Sequence, residues 1–142
     1  SALIPDCIKS ALGYSKFIPR GNGNHLRDFI YVKDVAELYL NMAQKLFLNK
    51  SLKGEIFNAG TKQPKKVKDI IELIFKLIGN KKDHEEIIRL FSKKETSGEI
   101  TNQSMSYEKV FNHFDWKPTT SLNSGIKNTI KWYEDYLKKI IL

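Results

Sequence analysis

Cys7 is the only cysteine among 142 residues, so no internal disulfide can form and no Cys-x-x-Cys pair offers a structural zinc site. Its place among apolar residues at helical spacing fits buried packing rather than reactivity. No apolar run approaches the roughly 18 residues a membrane span needs, and Ser1 to Cys7 lack the basic-then-apolar pattern of a secretory signal. The expectation is a cytoplasmic protein. Arginine is scarce as well: Arg20, Arg27 and Arg89 are the only ones among 24 basic residues. The net charge of +8 would suit nucleic acid, but it resides in lysines scattered over every segment, whereas phosphate readers favour Arg gathered on one face. No nucleic-acid partner is expected. His25, His84 and His113 lie far apart without ligand spacing, so no metal is assigned.

What is present is ordinary for a globular chain. Apolar residues make up 41% and charged ones 28%, enough for one compact domain with a core, and no repeat or linker divides residues 1–142. Ser1 is not an initiator Met, and Leu3, Ile4, Cys7, Ile8, Ala11 and Leu12 begin helical spacing at once, as though the chain were entered partway through an element. Phe17-Ile18 is a short extended segment, and Gly21 and Gly23 mark a tight reversal. Arg27 to Val32 has the aromatic and β-branched content of a strand, with Asp34 placed to cap a helix running to about Phe47. On that helix Val35, Leu38, Tyr39, Met42 and Leu46, with Ala36, Leu40, Ala43 and Phe47 beside them, make a wide apolar surface that is expected to be largely buried.

Glu55 to Gly60 reads as a second strand, Lys66 to Leu77 as a helix stopped by Gly79-Asn80, and Ile87 to Phe91 as a third strand. A polar loop from Ser92 to Ser104, a short helix near Tyr107 to Phe114, a break at Trp116-Lys117-Pro118 and a last helix from Leu122 to Lys139 complete the chain. Strands alternating with four to five helices predict the α/β class. Asp28 reads as an organiser of nearby backbone, Asn58 as a turn former, and Trp116, Trp132 and Tyr133 as core anchors.

The run Phe17-Ile18-Pro19-Arg20-Gly21-Asn22-Gly23, followed by Arg27-Asp28-Phe29-Ile30-Tyr31-Val32-Lys33-Asp34-Val35-Ala36, resembles the signature of extended short-chain dehydrogenases/reductases that act on nucleotide sugars. Leu3-Ile4-Pro5 before it, Gly54-Glu55-Ile56-Phe57-Asn58-Ala59-Gly60 after it, and Trp116-Lys117-Pro118 through Trp132-Tyr133 match further family segments in the right order. Each piece alone is common; their order and spacing together are specific. Gly98 to Gln103 and Thr129 to Tyr133 look most like members of the 4,6-dehydratase type, those resembling CDP-glucose and dTDP-glucose dehydratases.

The resemblance implies the C-terminal substrate-binding part of an extended Rossmann-type dehydrogenase/reductase, working as one domain over residues 1–142. It implies a nucleotide-diphosphate sugar as ligand, with NAD held by a separate Rossmann half, and a homodimeric intact enzyme. Arg27 would grip the diphosphate, since a planar guanidinium meets phosphate oxygens with two charge-assisted hydrogen bonds. Without the resemblance Arg27 reads as an ion-pair partner of Asp28 or Asp34. Ile18 and Arg20 would hold base and ribose, and Leu3 would close that pocket; plain packing for Ile18 and Leu3 and a surface place for Arg20 are the alternatives. Gln63 would offer an amide to the diphosphate, or is a solvated loop residue. The second phosphate-binding Arg of many epimerase-like relatives is replaced by Thr96 and Ser97 before Gly98-Glu99.

Two absences bear on mechanism. No Gly-x-x-Gly-x-x-Gly turn is present to take a dinucleotide pyrophosphate at a helix N-terminus. None of the six tyrosines has Lys four residues later, so the family's tyrosine base is lacking. The chain is therefore expected to bind sugar nucleotide and not to catalyse alone, with no catalytic residue assigned. A 4-epimerase part and a non-catalytic assembly module stand as the alternatives.

Overall fold

A computed structural model describes residues 2–91 and 98–140 as six helices and one small sheet. In chain order these are α1 (Leu3–Ala11), β1 (Leu26–Arg27), α2 (Val32–Leu48), a 3-10 turn (Lys50–Leu52), β2 (Lys65–Lys66), α3 (Val67–Ile78), α4 (Lys81–Phe91), α5 (Glu108–Phe114) and α6 (Leu122–Ile140). The strands pair antiparallel, Leu26 opposite Lys66 and Arg27 opposite Lys65, and Leu26 also forms a parallel bridge with Asn102. Among the described residues no helix is long and apolar enough to cross a membrane.

Two cores organise the molecule. In the larger, α1, α3, α4 and α6 meet through Cys7, Ile8, Ile70, Ile71, Ile74, Phe75, Ile87 and Ile126. The stripe on α3 recurs at three and four residues, so one helix face is wholly apolar; each fully buried Ile or Phe contributes about 2 kcal/mol. Gly79 ends α3 in the left-handed conformation at φ 84°, a backbone state that favours glycine. The smaller core gathers Leu38 of α2, Leu52, Val110 and Phe114 of α5, and Trp116. The Trp116 indole donates to the Asp34 carbonyl at 3.0 Å, which satisfies its one polar atom.

Four expectations are corrected. Ile87 to Phe91 is helical. Asn80 caps α4 by accepting the Asp83 amide at 3.2 Å, and His84, Ile87 and Phe91 then share one face of an amphipathic helix whose first half is the charged stretch before them. The expected strand over Arg27 to Val32 pairs only through Leu26–Arg27, because Asp28 turns to serve other backbone and α2 already begins at Val32. Asp34 is therefore not the cap: Tyr31 holds that place, and Asp34 is buried one turn further on. Glu55 to Gly60 has no ladder partner among the described residues and is assigned no strand.

Two expectations about burial also change. In α2 only Asp34 and Leu38 are buried, so its wide apolar surface is largely bare. Trp132 is 56% exposed, stacked on Tyr136 at 4.9 Å, because it lies off the α6 face carrying Ile126 and Ile130. The ends of α1, α3, α5 and α6 fall within a residue or two of their expected positions. Residues 92–97 of the expected loop lie outside the described residues.

Candidate functional site

The segment that follows α1 folds back over α3. The Phe17 amide donates to Ser10 Oγ at 3.1 Å, while the Gly23 and His25 carbonyls accept the Lys68 and Val67 amides at 2.9 and 3.0 Å. Gly23 is required here: its φ is +72°, and a Cβ would lie 2.8 Å from both Lys68 Cβ and Phe91 Cε1. The close approach seats the reversal on α3 and α4 and leaves a cleft of about 740 Å³ between it and α1.

Leu3, Ile18, Arg20 and Arg27 all line this cleft. Ile18 is 59% exposed, an apolar surface available for a ligand rather than the core. Arg27 is 22% exposed along its side chain. Its Nη1 donates to the Leu26 carbonyl at 2.9 Å and the Ile100 carbonyl at 2.7 Å, and its Nη2 donates to Glu99 Oε1 at 3.4 Å. The ion-pair partner is thus Glu99, neither Asp28 nor Asp34. Glu99 also lies 3.6 Å from His25 Nδ1. Two carbonyls orient the guanidinium, and one half-exposed carboxylate meets its outer edge.

Asp28 does organise backbone, more extensively than its motif suggests. Its carboxylate accepts the amides of Thr61 at 3.0 Å, Lys62 at 3.2 Å and Met105 at 3.2 Å, and also the Thr61 hydroxyl. This fixes the loop after residue 60 against the segment before α5, and Asp28 itself lines the cleft. Gln63 stands apart from the other four. It lines a second, polar cleft of about 310 Å³ with Thr61, Lys65, Tyr107 and Thr119 to Leu122. Phe29 borders both clefts.

Glu99 and His25 join the site although neither carried a role in the sequence. Glu99 lies 72 residues from Arg27, and only the turn at Gly98 hinted at a folded-back position. Thr96 and Ser97, where relatives place a second arginine, lie outside the described residues. The sheet is one antiparallel pair of two-residue strands, and among the described residues no glycine turn leads from a parallel strand into a helix.

A helical body around a short sheet, with an arginine held at a glycine-bounded cleft, belongs to the sugar-nucleotide dehydratase and epimerase class of extended short-chain dehydrogenases/reductases. Within it, the chain belongs to the GDP-mannose 4,6 dehydratase family, whose profile matches residues 1–129. It is 27% identical over 135 residues to dTDP-glucose 4,6-dehydratase 1 of Escherichia coli, covering 92% of this chain and 36% of that protein. It is 28% identical over 137 residues to a trifunctional UDP-glucose 4,6-dehydratase of Arabidopsis thaliana, covering 92% of this chain and 18% of that one. Among solved structures, the dTDP-glucose 4,6-dehydratase of Bacillus anthracis in complex with NAD superposes with a TM-score of 0.74 at 29% identity, covering 94% of this chain and 39% of that chain. UDP-glucose 4-epimerase of Thermotoga maritima shares the fold alone, with a TM-score of 0.70 at 20% identity, 96% of this chain and 40% of that one being covered. The chain thus spans well under half the length of each of these relatives.

Proposed function

We propose that this chain is the nucleotide-sugar-binding portion of an NAD-dependent, cytoplasmic sugar-nucleotide 4,6-dehydratase. A dinucleotide-binding portion of the intact enzyme would hold NAD and perform the redox chemistry, and the intact enzyme would be a homodimer. The observation that carries the reading is the convergence of Leu3, Ile18, Arg20 and Arg27 on one cleft.

In this reading the diphosphate displaces Glu99 from the outer edge of Arg27, while the Leu26 and Ile100 carbonyls keep the guanidinium oriented. Two phosphate charges against one half-exposed carboxylate favour the exchange. Ile18 covers one face of the base, and Leu3 shuts the apolar end. Gln63, in the neighbouring cleft, meets the sugar-diphosphate end that passes Phe29. Binding energy from this remote handle orients the hexose for chemistry performed elsewhere.

The test is a thermal-shift series with UDP-, CDP-, dTDP- and GDP-sugars. A ligand at about 100 times its Kd stabilises the native state by about 2.7 kcal/mol, so one base series should raise the melting temperature and the others should not. A flat response to all four would exclude the site.

A further inference from the structure

The geometry points to His25 as a second group that grips the diphosphate beside Arg27, through its charge, so that affinity for the sugar nucleotide rises as the imidazole gains a proton. This rests on the proposed function, which names the ligand and gives His25 no part in holding it.

His25 immediately precedes β1 and Arg27 ends it. Residues two apart on an extended segment share a face, and both side chains line the cleft. The backbone beneath them is fixed from two sides. On one, the His25 carbonyl accepts the Val67 amide at 3.0 Å; on the other, the Leu26 amide donates to the Thr101 carbonyl at 2.8 Å and the Leu26 carbonyl accepts the Gln103 amide at 3.0 Å. The two side chains are therefore held in register with each other, at 13% and 22% exposure.

They converge on one anion. Glu99 Oε2 lies 3.6 Å from His25 Nδ1, and its Oε1 lies 3.4 Å from Arg27 Nη2, so a single carboxylate spans the two nitrogens with one oxygen to each. A phosphate can offer two of its oxygens to two cationic groups in the same manner. The charges favour the phosphate. With His25 protonated, two positive groups share one negative group, whereas the diphosphate brings two. Glu99, at 47%, is the most exposed of the three side chains and the one that a ligand arriving from solvent meets first.

The other charged groups around His25 leave it this role. Asp6 of α1, Lys16, Arg20 and Asp28 share the cleft, and Lys65, Lys66 and Lys68 belong to the segment paired with its backbone. The Asp28 carboxylate is committed to Thr61, Lys62 and Met105. Of the side-chain types in the cleft, imidazole is the one whose charge ordinarily changes between about pH 5 and pH 8. His84 and His113 do not line it.

Calorimetric titration of the product of the complete reading frame that contains this chain tests the idea, with UDP-glucose, CDP-glucose, dTDP-glucose and GDP-mannose as probes. A diphosphate esterified at both ends keeps its two charges across this range, so a change in affinity comes from the protein. The probe that binds should do so about fivefold more tightly at about pH 5.5 than at about pH 8. His25→Asn keeps a neutral donor in place and should hold the parent's weaker affinity at both pH values. His25→Lys carries a permanent charge and should bind at about pH 8 as tightly as the parent does at about pH 5.5. Equal parental affinity at the two pH values overturns the inference, as does a pH dependence that survives in both variants. Should His25→Asn bind nothing, His25→Lys decides: recovered affinity upholds the charge, and its absence overturns it. Binding that ignores pH removes His25 alone and leaves the sugar-nucleotide site, whereas no binding of any of the four probes removes the site and this inference with it.

Discussion

The Asp34 carboxylate, 3% exposed, accepts the Thr120 amide at 3.0 Å and the Thr120 hydroxyl at 2.8 Å across 86 residues of sequence. With Thr119 Oγ1 at 3.3 Å, it ties the first turn of α2 to the start of α6. Removing it leaves a part-buried amide without an acceptor, so Asp34→Ala should cost about 3 kcal/mol. Asp34→Asn retains one carbonyl oxygen and should cost less. Urea unfolding measures both, and an Asp34→Ala loss under about 0.5 kcal/mol, the level of an ordinary surface change, would refute this role.

Gly60 sits against the other carboxylate hub. A Cβ there would lie 2.5 Å from the Met105 carbonyl oxygen and 2.7 Å from Asp28 Oδ2. Neither can retreat without giving up the bonds that shape the cleft wall, so Gly60→Ala should destabilise by about 2 kcal/mol. In parallel it should weaken sugar-nucleotide binding. A variant as stable as the parent would show that the hub is softer than its geometry implies.

Arg27 provides the most direct test of the ligand site. Arg27→Ala should lower affinity for the stabilising sugar nucleotide by about tenfold or more, and Arg27→Lys should recover only part, since an ammonium cannot form the paired fork. Calorimetric titration decides this; parental affinity in Arg27→Ala would remove the guanidinium from the binding reading.

Lys109 reaches Glu55 Oε2 at 2.6 Å, and this hydrogen bond, reinforced by the ammonium charge, holds the Glu55 carboxyl below the usual carboxylate range. Because the native value lies below the unfolded one, the pair's stabilising effect is complete above the ordinary glutamate range and fades as acid takes the pH down through the native midpoint. A carboxyl-carbon NMR titration should show a depressed Glu55 midpoint that returns to normal in Lys109→Met. An unchanged midpoint in that variant would disprove the assignment.

Burial pushes the Cys7 thiol from its ordinary 9.0 up to about 12. The native thiol should therefore resist a disulfide reagent at pH 8 and react fully once urea unfolds the chain. Its raised value also means that the contribution of the buried thiol to stability is complete below pH 9.0 and declines as the pH climbs toward about 12. Rapid labelling of the folded protein would contradict its place in the core.

Much of this molecule was legible from local pattern. The stripes on α1, α3 and α6 fixed those helices, because three-to-four spacing expresses which face meets a core regardless of the partner. The Gly79-Asn80 stop was readable for the same reason: left-handed backbone and capping are properties of a few adjacent residues. Ile87 to Phe91 misled because an apolar run of five fits either period, and only Asn80 capping the charged stretch ahead of it made the helix.

What the sequence determined alone was the set of faces and punctuation: four apolar stripes, the glycine reversal before Arg27, and the family motif. The tertiary structure decided the pairings, since these depend on which distant groups the packed helices bring within hydrogen-bond reach. It gave Arg27 to Glu99 rather than to Asp28 or Asp34, placed Gln63 in a different cleft from Ile18 and Arg20, and left one side of α2 bare although its composition reads as core. A residue's hydrophobicity states that it prefers cover, whereas the fold alone states whether this chain supplies it.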